Sequence, residues 1–441
     1  MNLEKTLRLK TSVILLLSLS LLLAGYLPAR ARDYLEITAA EARKIAFAVP
    51  FFADMAAPRQ EARDLDKELA SLMSKGLEFH GFISIIPVDS YSGSQESDWV
   101  SLGAEFSVLG QYEITSSGVM LEIRLTDIKE GQLILGRRYK GTLDKRKTMV
   151  LKFCDEIIEK LSGEPGISLS NVTFSSDKTG YKEIYVADVL GEEIRQVTKH
   201  QNLCVSPRFT LDGSQLTYSS YHRDNQNLYL ADIAKNSTRA ISWLEGLNMT
   251  PAWSPDGKYI AVTLSKDGNP DLYLASSEIK SKEPIKILQR LTQDGGINTS
   301  PSWSPDSEHL AFVSDRSGSP QIYIMEVKSR KIDRLTFYGN YNTSPNWSPK
   351  GDMITYAGRH EGNYHIFTIR SEGGPPTRLT LLWGDYESPC WSPDSRQIVF
   401  SRKRNKKQEL CAMLANGAYQ RPLFTQDGNQ SSPHWGPRIK L

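Results

Sequence analysis

The sequence predicts a small mixed α/β domain followed by an all-β six-bladed β-propeller that its own C-terminal strand closes. Three observations predict this: a short phrase that returns six times, a strand pattern inside each return, and a mismatch in strand count at the two ends of the series. The phrase is Ser/Thr-Pro-x-aromatic, read at Ser206-Pro207-Arg208-Phe209, Thr250-Pro251-Ala252-Trp253, Ser300-Pro301-Ser302-Trp303, Ser344-Pro345-Asn346-Trp347, Ser388-Pro389-Cys390-Trp391 and Ser432-Pro433-His434-Trp435. Successive prolines lie 44, 50, 44, 44 and 44 residues apart. That is the period of four short strands per blade.

Each return carries the same internal grammar. After Ser300-Pro301-Ser302-Trp303 comes the turn Ser304-Pro305-Asp306-Ser307, then alternating runs over 309–313 and 321–325 separated by Gly318 and Pro320, then a fourth run from Asp333. Short alternating runs bounded by Gly, Pro, Asp and Ser are antiparallel strands. One aromatic per blade, two residues after the proline, is what packing between neighbouring sheets requires. At Pro255, Pro305 and Pro393 the Pro-Asp pair is turn chemistry, proline presetting the backbone torsion and Asp capping the bend.

Ring closure follows from counting. The last proline-aromatic strand ends at Trp435 with six residues after it, whereas the second strand of the series already occurs at 172–175. One period before Pro207 stands Gly163, with no aromatic two residues on. The first blade therefore lacks its innermost strand, and the strand at Ser432 to Trp435 is expected to complete it, removing exposed sheet edges.

Upstream of the ring, Lys5, Arg8 and Lys10 precede an apolar run over 13–23 and a small-x-small site at Ala29-Arg30-Ala31. This predicts a signal peptide over 1–31, cut after Ala31, and export to an oxidising compartment. Its removal takes the formal charge from +2 to −1, so no global drive toward nucleic acid remains. No later segment is long and apolar enough to span a bilayer. Residues 32–162 then read as the α/β domain: an apolar β-rich run at 44–52, a helix at 59–78, a strand at 82–87, a short helical piece near Trp99, strands at 104–114, 119–127 and 133–139, and a helix at 147–161. Ser162-Gly163-Glu164-Pro165-Gly166 is a linker, and 163–441 is the ring.

Four cysteines invite a disulfide reading that the register opposes. Cys390 falls on the first strand and Cys411 on the third strand of one blade, roughly 9.5 Å apart at twice the strand spacing, too far for a usual bridge. Cys154 and Cys204 fall in different domains. Free, buried thiols are expected.

Catalytic motifs are absent: no Gly-x-Ser-x-Gly elbow, no phosphate-cradling glycine loop and no Cys-x-x-Cys occurs. His360-Glu361 with His365 has the wrong spacing for a zinc helix and lies in a hairpin, and no register supplies inward ligands for a channel metal. No catalytic residue, metal or cofactor is expected. Asn-x-Ser/Thr sites include Asn171, Asn236, Asn248, Asn298 and Asn342, the last three of these sharing one place in the repeat. That place matters because the segments 203–206, 247–250, 297–300, 341–344, 385–388 and 429–432 all enter innermost strands on one face and ring the mouth of the channel. Small polar side chains around a concave mouth form a docking surface. Only Tyr341 and Tyr386 are expected to expose aromatics there. Arg402-Lys403-Arg404-Asn405-Lys406-Lys407, a loop between second and third strands, lies on the same face and can guide an acidic partner.

The order of parts, with Ile45-Ala46-Phe47-Ala48-Val49-Pro50-Phe51 opening the α/β domain and Trp253-Ser254-Pro255-Asp256-Gly257 in the ring, resembles the TolB family of the Tol-Pal envelope system. The resemblance implies a non-enzymatic periplasmic adaptor acting in outer-membrane integrity and in envelope constriction at division. It implies that the mouth loops dock the lipoprotein Pal, with family positions matching Leu247, Thr250, Asn298, Thr299 and Ser300; Asn248, Asn342, Thr343, Ser344 and Tyr386 are expected to join them by their place in the same loops. It also implies that Arg32, Asp33, Tyr34, Leu35, Glu36 and Ile37 at the mature N-terminus contact TolA. Further outer-membrane or peptidoglycan-associated partners are compatible with this role. A propeller hydrolase and a propeller that binds sugars or peptidoglycan fragments are the alternative readings.

Overall fold

The α/β domain is built on a mixed sheet whose strand order is set by one long antiparallel meander. In this computed structural model, which describes residues 44–56, 64–223, 225–280 and 282–439, the domain runs β1 (Ile45–Ala48), β2 (Ala53–Asp54), α1 (Leu65–Glu78), β3 (Ile83–Ile85), β4 (Phe106–Thr115), β5 (Gly118–Asp127), β6 (Gln132–Gly141) and α2 (Arg146–Ser162). The expected signal peptide and the Arg32 to Ile37 contact lie outside the described residues. The sheet order is β3-β1-β4-β5-β6, parallel at β1–β3 and β1–β4 and antiparallel from β4 to β6. Leu65, Leu69, Leu72, Met73 and Leu77 give α1 one buried stripe. That stripe meets α2 at Gly76, where a Cβ would stand 2.8 Å from the Cys154 sulfur, so the two helices approach closely only because the side chain is missing. The short helix expected near Trp99 does not form. Residues 99–103 are turns, with Asp98 accepting the Ser101 amide at 3.2 Å and Gly103 leaving at φ 74°.

Six four-stranded antiparallel sheets follow among the described residues. Their innermost strands are Cys204–Phe209, Asn248–Trp253, Asn298–Trp303, Asn342–Trp347, Asp385–Trp391 and Gln430–Trp435. The last pairs with Asn171–Ser176, Trp435 opposite Val172 and Gln430 opposite Ser176, so the C-terminal strand closes the ring as expected. Phe209, Trp303, Trp391 and Trp435 are buried between blades. All four cysteines are free and buried. We call upper the face carrying the loops into the innermost strands and the hairpins between second and third strands, and lower the face carrying the Pro-Asp turns.

The α/β domain packs on the lower side, and the expected linker is pinned. The Gly166 amide donates to the Asp155 carbonyl at 3.1 Å, and the Ser168 amide donates to the Asp155 carboxylate at 2.7 Å. Phe79 joins the apolar cluster around Trp435, their ring centroids 6.1 Å apart, while its carbonyl accepts from Arg421 at 2.9 Å and Gln397 at 3.2 Å. Arg396 donates to the Ser162 hydroxyl at 2.9 Å, and Lys147 pairs with Asp188 at 3.1 Å.

His80, 3.0 Å from the Ser168 hydroxyl, is buried at this seam, which lowers its pKa to about 3, helped by Arg396 and Arg421. Burial and Arg208 hold His434 well below the ordinary imidazole value. Both stay neutral in the fold while the unfolded chain takes up protons as pH falls below 6.5, each costing roughly 1.4 kcal/mol of stability per pH unit. Asp155 works the other way, because burial raises its carboxyl to about 6 and the folded state gains a proton first. His200, His222 and His365 are held low by burial in the same way, while Glu387 sides with Asp155, so the lowered histidines outnumber the raised carboxyls and stability is expected to fall as pH drops from 7 to 5. Urea unfolding at pH 7 and pH 5 reads it directly, and equal free energies at both would contradict the assignment.

Candidate functional site

The upper mouth is shaped by one backbone irregularity used six times. Ser206, Thr250, Ser300, Ser344, Ser388 and Ser432, each just before the repeated proline, have φ between 47° and 55°. A residue before proline normally stays extended. Here the left-handed residue and the proline form a bulge at which the pairing register of every innermost strand shifts.

Above the bulge, a clasp of buried polar groups centred on an asparagine fixes three of the six entering loops. Asn298 donates to the carboxylates of Asp294 at 2.8 Å and Asp271 at 3.0 Å and to the Gly296 carbonyl at 3.0 Å, and it accepts from Arg316 at 2.9 Å. Asn248 donates to the Leu244 carbonyl at 2.7 Å and accepts from the Ser242 hydroxyl at 2.6 Å. Asn342 donates to Gln321 at 2.8 Å and to the Tyr338 carbonyl at 2.9 Å. A threonine at the end of the fourth strand completes the clasp: Thr292 donates to Asp271 at 2.6 Å and Thr336 to Gln321 at 2.7 Å. Asp271 is fully buried and is neutralised by Arg290 at 2.6 Å.

This geometry sorts the expected contact residues. Leu247, Thr250, Thr299, Ser300, Thr343 and Ser344 are part-exposed at the mouth. Asn248, Asn298 and Asn342 are buried, so their side chains hold loops and do not face a partner. Tyr386 corrects a further expectation: it is fully buried, its ring 5.7 Å from that of His365 and under the Arg404 guanidinium at 5.6 Å, because it fills the place the asparagines fill elsewhere. Tyr341 is exposed, as expected. The basic loop is tighter than expected, strands running to Arg404 and from Lys407 with only Asn405 and Lys406 at the turn, both at positive φ. Arg402 is tied to Glu409 at 2.7 Å. Glu387 lies within the mouth, and burial together with neighbouring Asp385 raises its pKa.

The sequence reading missed the most prominent feature of this face. Of the eighteen large hydrophobic side chains exposed among the described residues, eleven belong to upper-face loops and strand ends. Phe337 is 75%, Leu381 67%, Leu382 63% and Trp383 64% exposed, and Ile297, Trp243 and Tyr338 accompany them. A signal was present: Leu381-Leu382-Trp383 is an apolar run inside a turn segment where the equivalent place two blades earlier carries Gln293-Asp294-Gly295 and the next blade carries Thr425-Gln426-Asp427. Contiguous apolar side chains left exposed on one face are the usual mark of an interaction surface.

One group of side chains among the described residues could hold a cation, Asp306, Glu308 and His309, with ligand atoms within 4.8 Å of one another. It lies on an exposed Pro-Asp-Ser turn, where Asp306 already caps the Glu308 amide at 2.9 Å.

Fold and site together define a six-bladed propeller with a small α/β domain on one side and an apolar, clasped mouth on the other. The chain belongs to the TolB family: residues 158–439 match the TolB beta propeller domain and 33–134 the TolB amino-terminal domain. It is similar to the Tol-Pal system protein TolB of Desulfotalea psychrophila, 46% identical over 206 residues, which is 46% of this chain and 47% of that one. It is 34% identical over 195 residues to the same-named protein of Desulfosudis oleivorans, covering 42% of this chain and 44% of that one. The chain thus spans about half the length of the curated relatives it matches. A crystal structure of TolB from Acinetobacter baumannii superposes with a TM-score of 0.78 at 26% identity, covering 90% of this chain and 97% of that one. Hydrazine synthase from Kuenenia stuttgartiensis shares the fold alone, with a TM-score of 0.50 at 14% identity, over 62% of this chain and 47% of that one. No helix among the described residues is long and apolar enough to cross a membrane.

Proposed function

We propose that this chain is a non-enzymatic adaptor of the Tol-Pal system in the periplasm, docking the lipoprotein Pal on its upper face and TolA through Arg32 to Ile37. In this role it supports outer-membrane integrity and envelope constriction during division. The observation that carries the reading is the concentration of exposed apolar side chains on the upper face, set on loops that buried clasps hold still. Preformed loops lose little entropy on docking, and buried tryptophans are the commonest anchors of an interface. Leu247, Thr250, Thr299, Ser300, Thr343 and Ser344 form the inner rim of the proposed contact. Asn248, Asn298, Asn342 and Tyr386 contribute by holding that rim in place.

Calorimetric titration of the mature protein with the periplasmic domain of Pal from the same organism tests this. Saturable 1:1 binding is expected, with Trp383→Ala, Thr299→Glu and Thr343→Glu each weakening it by about tenfold or more while the thermal midpoint holds. Absence of binding by the unaltered protein, or full affinity in all three variants, would sink the proposal.

A further inference from the structure

The residue that follows each repeated proline points to a second site, inside the channel at its lower end. These six positions are Arg208, Ala252, Ser302, Asn346, Cys390 and His434, and all six line one cavity of about 320 Å³. Most of them also form a belt from blade to blade. The Ser302 hydroxyl oxygen accepts the Trp347 amide at 3.0 Å, the Asn346 side-chain carbonyl the Trp391 amide at 2.8 Å, and the Cys390 sulfur the Trp435 amide at 3.4 Å. His434 accepts the Phe209 amide at Nδ1, at 3.4 Å.

The belt consumes acceptors and leaves donors. With Nδ1 accepting, the His434 proton sits on Nε2. Ser302 keeps its O–H and Asn346 its NH2. Among them stands the Arg208 guanidinium, whose one hydrogen bond among the described residues is to its own strand, the Pro207 carbonyl at 3.2 Å. No carboxylate pairs with it there, and no Asp or Glu lines the cavity. Arg208 is part-exposed to the cavity, and a guanidinium held against a largely apolar wall without a counter-charge is costly. Elsewhere in the ring Arg290, Arg316 and Arg402 each hold a carboxylate within 2.7 Å. Apart from Thr210 the rest of the wall is apolar or glycine, chiefly the six repeat aromatics and prolines such as Pro255, Pro301 and Pro345.

We infer that the lower channel binds an organic carboxylate with an apolar body, the carboxylate on Arg208 and the body against the tryptophans. The cavity volume suits a small molecule or the last residues of a peptide, and planar bidentate capture of a carboxylate is what arginine does best. This site lies at the opposite end of the channel from the proposed Pal face and stands independently of that reading.

Five indoles line the cavity, Trp253, Trp303, Trp347, Trp391 and Trp435, so tryptophan fluorescence of the full mature chain reads its occupancy. The probes are 3-phenylpropionate, for a free acid, and N-acetyl-Ala-Ala-Phe, for a chain end, each beside its carboxamide. The acids are expected to give a saturable change and the amides none, the tighter of the two acids identifying the source. Arg208→Gln should weaken the acids by about ten- to a hundredfold. Ala252→Glu places a carboxylate at the same register of the adjacent blade. It should close on Arg208, abolish acid binding and raise the thermal midpoint, which decides the matter even where R208Q folds poorly. Amides that bind as well as the acids, no change with either acid up to about 10 mM, or acid binding that survives in A252E would overturn the inference.

Discussion

Truncation before Gln430 is expected to leave no cooperatively folded ring. The deleted strand is the innermost strand of the blade that opens at Asn171, pairing Ser431 with Ser175 and His434 with Thr173. Without it the sheet of that blade loses a full ladder, and the edge of Asn171–Ser176 is left unpaired beside the channel. Trp435 goes too. It is 3% exposed, donates its indole N–H to the Ser170 hydroxyl at 2.8 Å and its backbone amide to Cys390, and packs on Phe79. Removing a buried tryptophan side chain alone costs about 3–5 kcal/mol, against a total stability of roughly 5–15 kcal/mol. Trp435→Ala should therefore retain the fold with a much lower midpoint, and the truncation should give aggregate. Calorimetric scanning separates the two, and a truncated chain with a near-native transition would refute the closure argument.

The second large effect is expected at Asn298. Asn298→Leu strips hydrogen bonds from Asp271, Asp294, the Gly296 carbonyl and Arg316 at once. Asp271 retains Arg290 and Thr292 and Arg316 retains Asp294, so the charges stay paired, but the loop carbonyl loses a donor and a bulkier apolar side chain is set among buried polar groups. A loss of about 3 kcal/mol follows from one to three unmet buried groups. Thr299→Glu, one residue on and part-exposed, should move stability by no more than about 0.5 kcal/mol while weakening docking. Chemical denaturation and titration of both variants test the contrast. If N298L is as stable as the parent, the clasp is not structural.

That contrast marks the limit of what the primary structure discloses. The period of 44 residues is legible because each blade solves the same packing problem with the same few side chains, and closure is legible because strands can be counted. The α/β strands were placed to within a few residues for the same reason, since alternation needs no tertiary partner to be seen. Asn-x-Ser/Thr at Asn298 reads identically whether the amide faces solvent or a carboxylate 27 residues earlier. Tyr386 reads as exposed because loop positions ordinarily point outward, whereas it replaces an asparagine in the interior. Arg208 stood in the repeated phrase from the start. That it lacks a counter-charge is a property of six strands brought together, and no stretch of chain contains it.

The belt of hydrogen bonds around the channel has a direction. Ser302 serves Trp347, Asn346 serves Trp391, Cys390 serves Trp435 and His434 serves Phe209, always the blade that follows. Contacts of this head-to-tail kind are heterologous, and in an oligomer they build a closed ring only when the rotation between neighbours divides the circle evenly. The ring is thus a cyclic hexamer written as one polypeptide, and its six repeats close because the rotation from each blade to the next divides the circle into six. A blade excised as a separate peptide would carry one unsatisfied donor side and one unsatisfied acceptor side, the surfaces of a polymerising subunit.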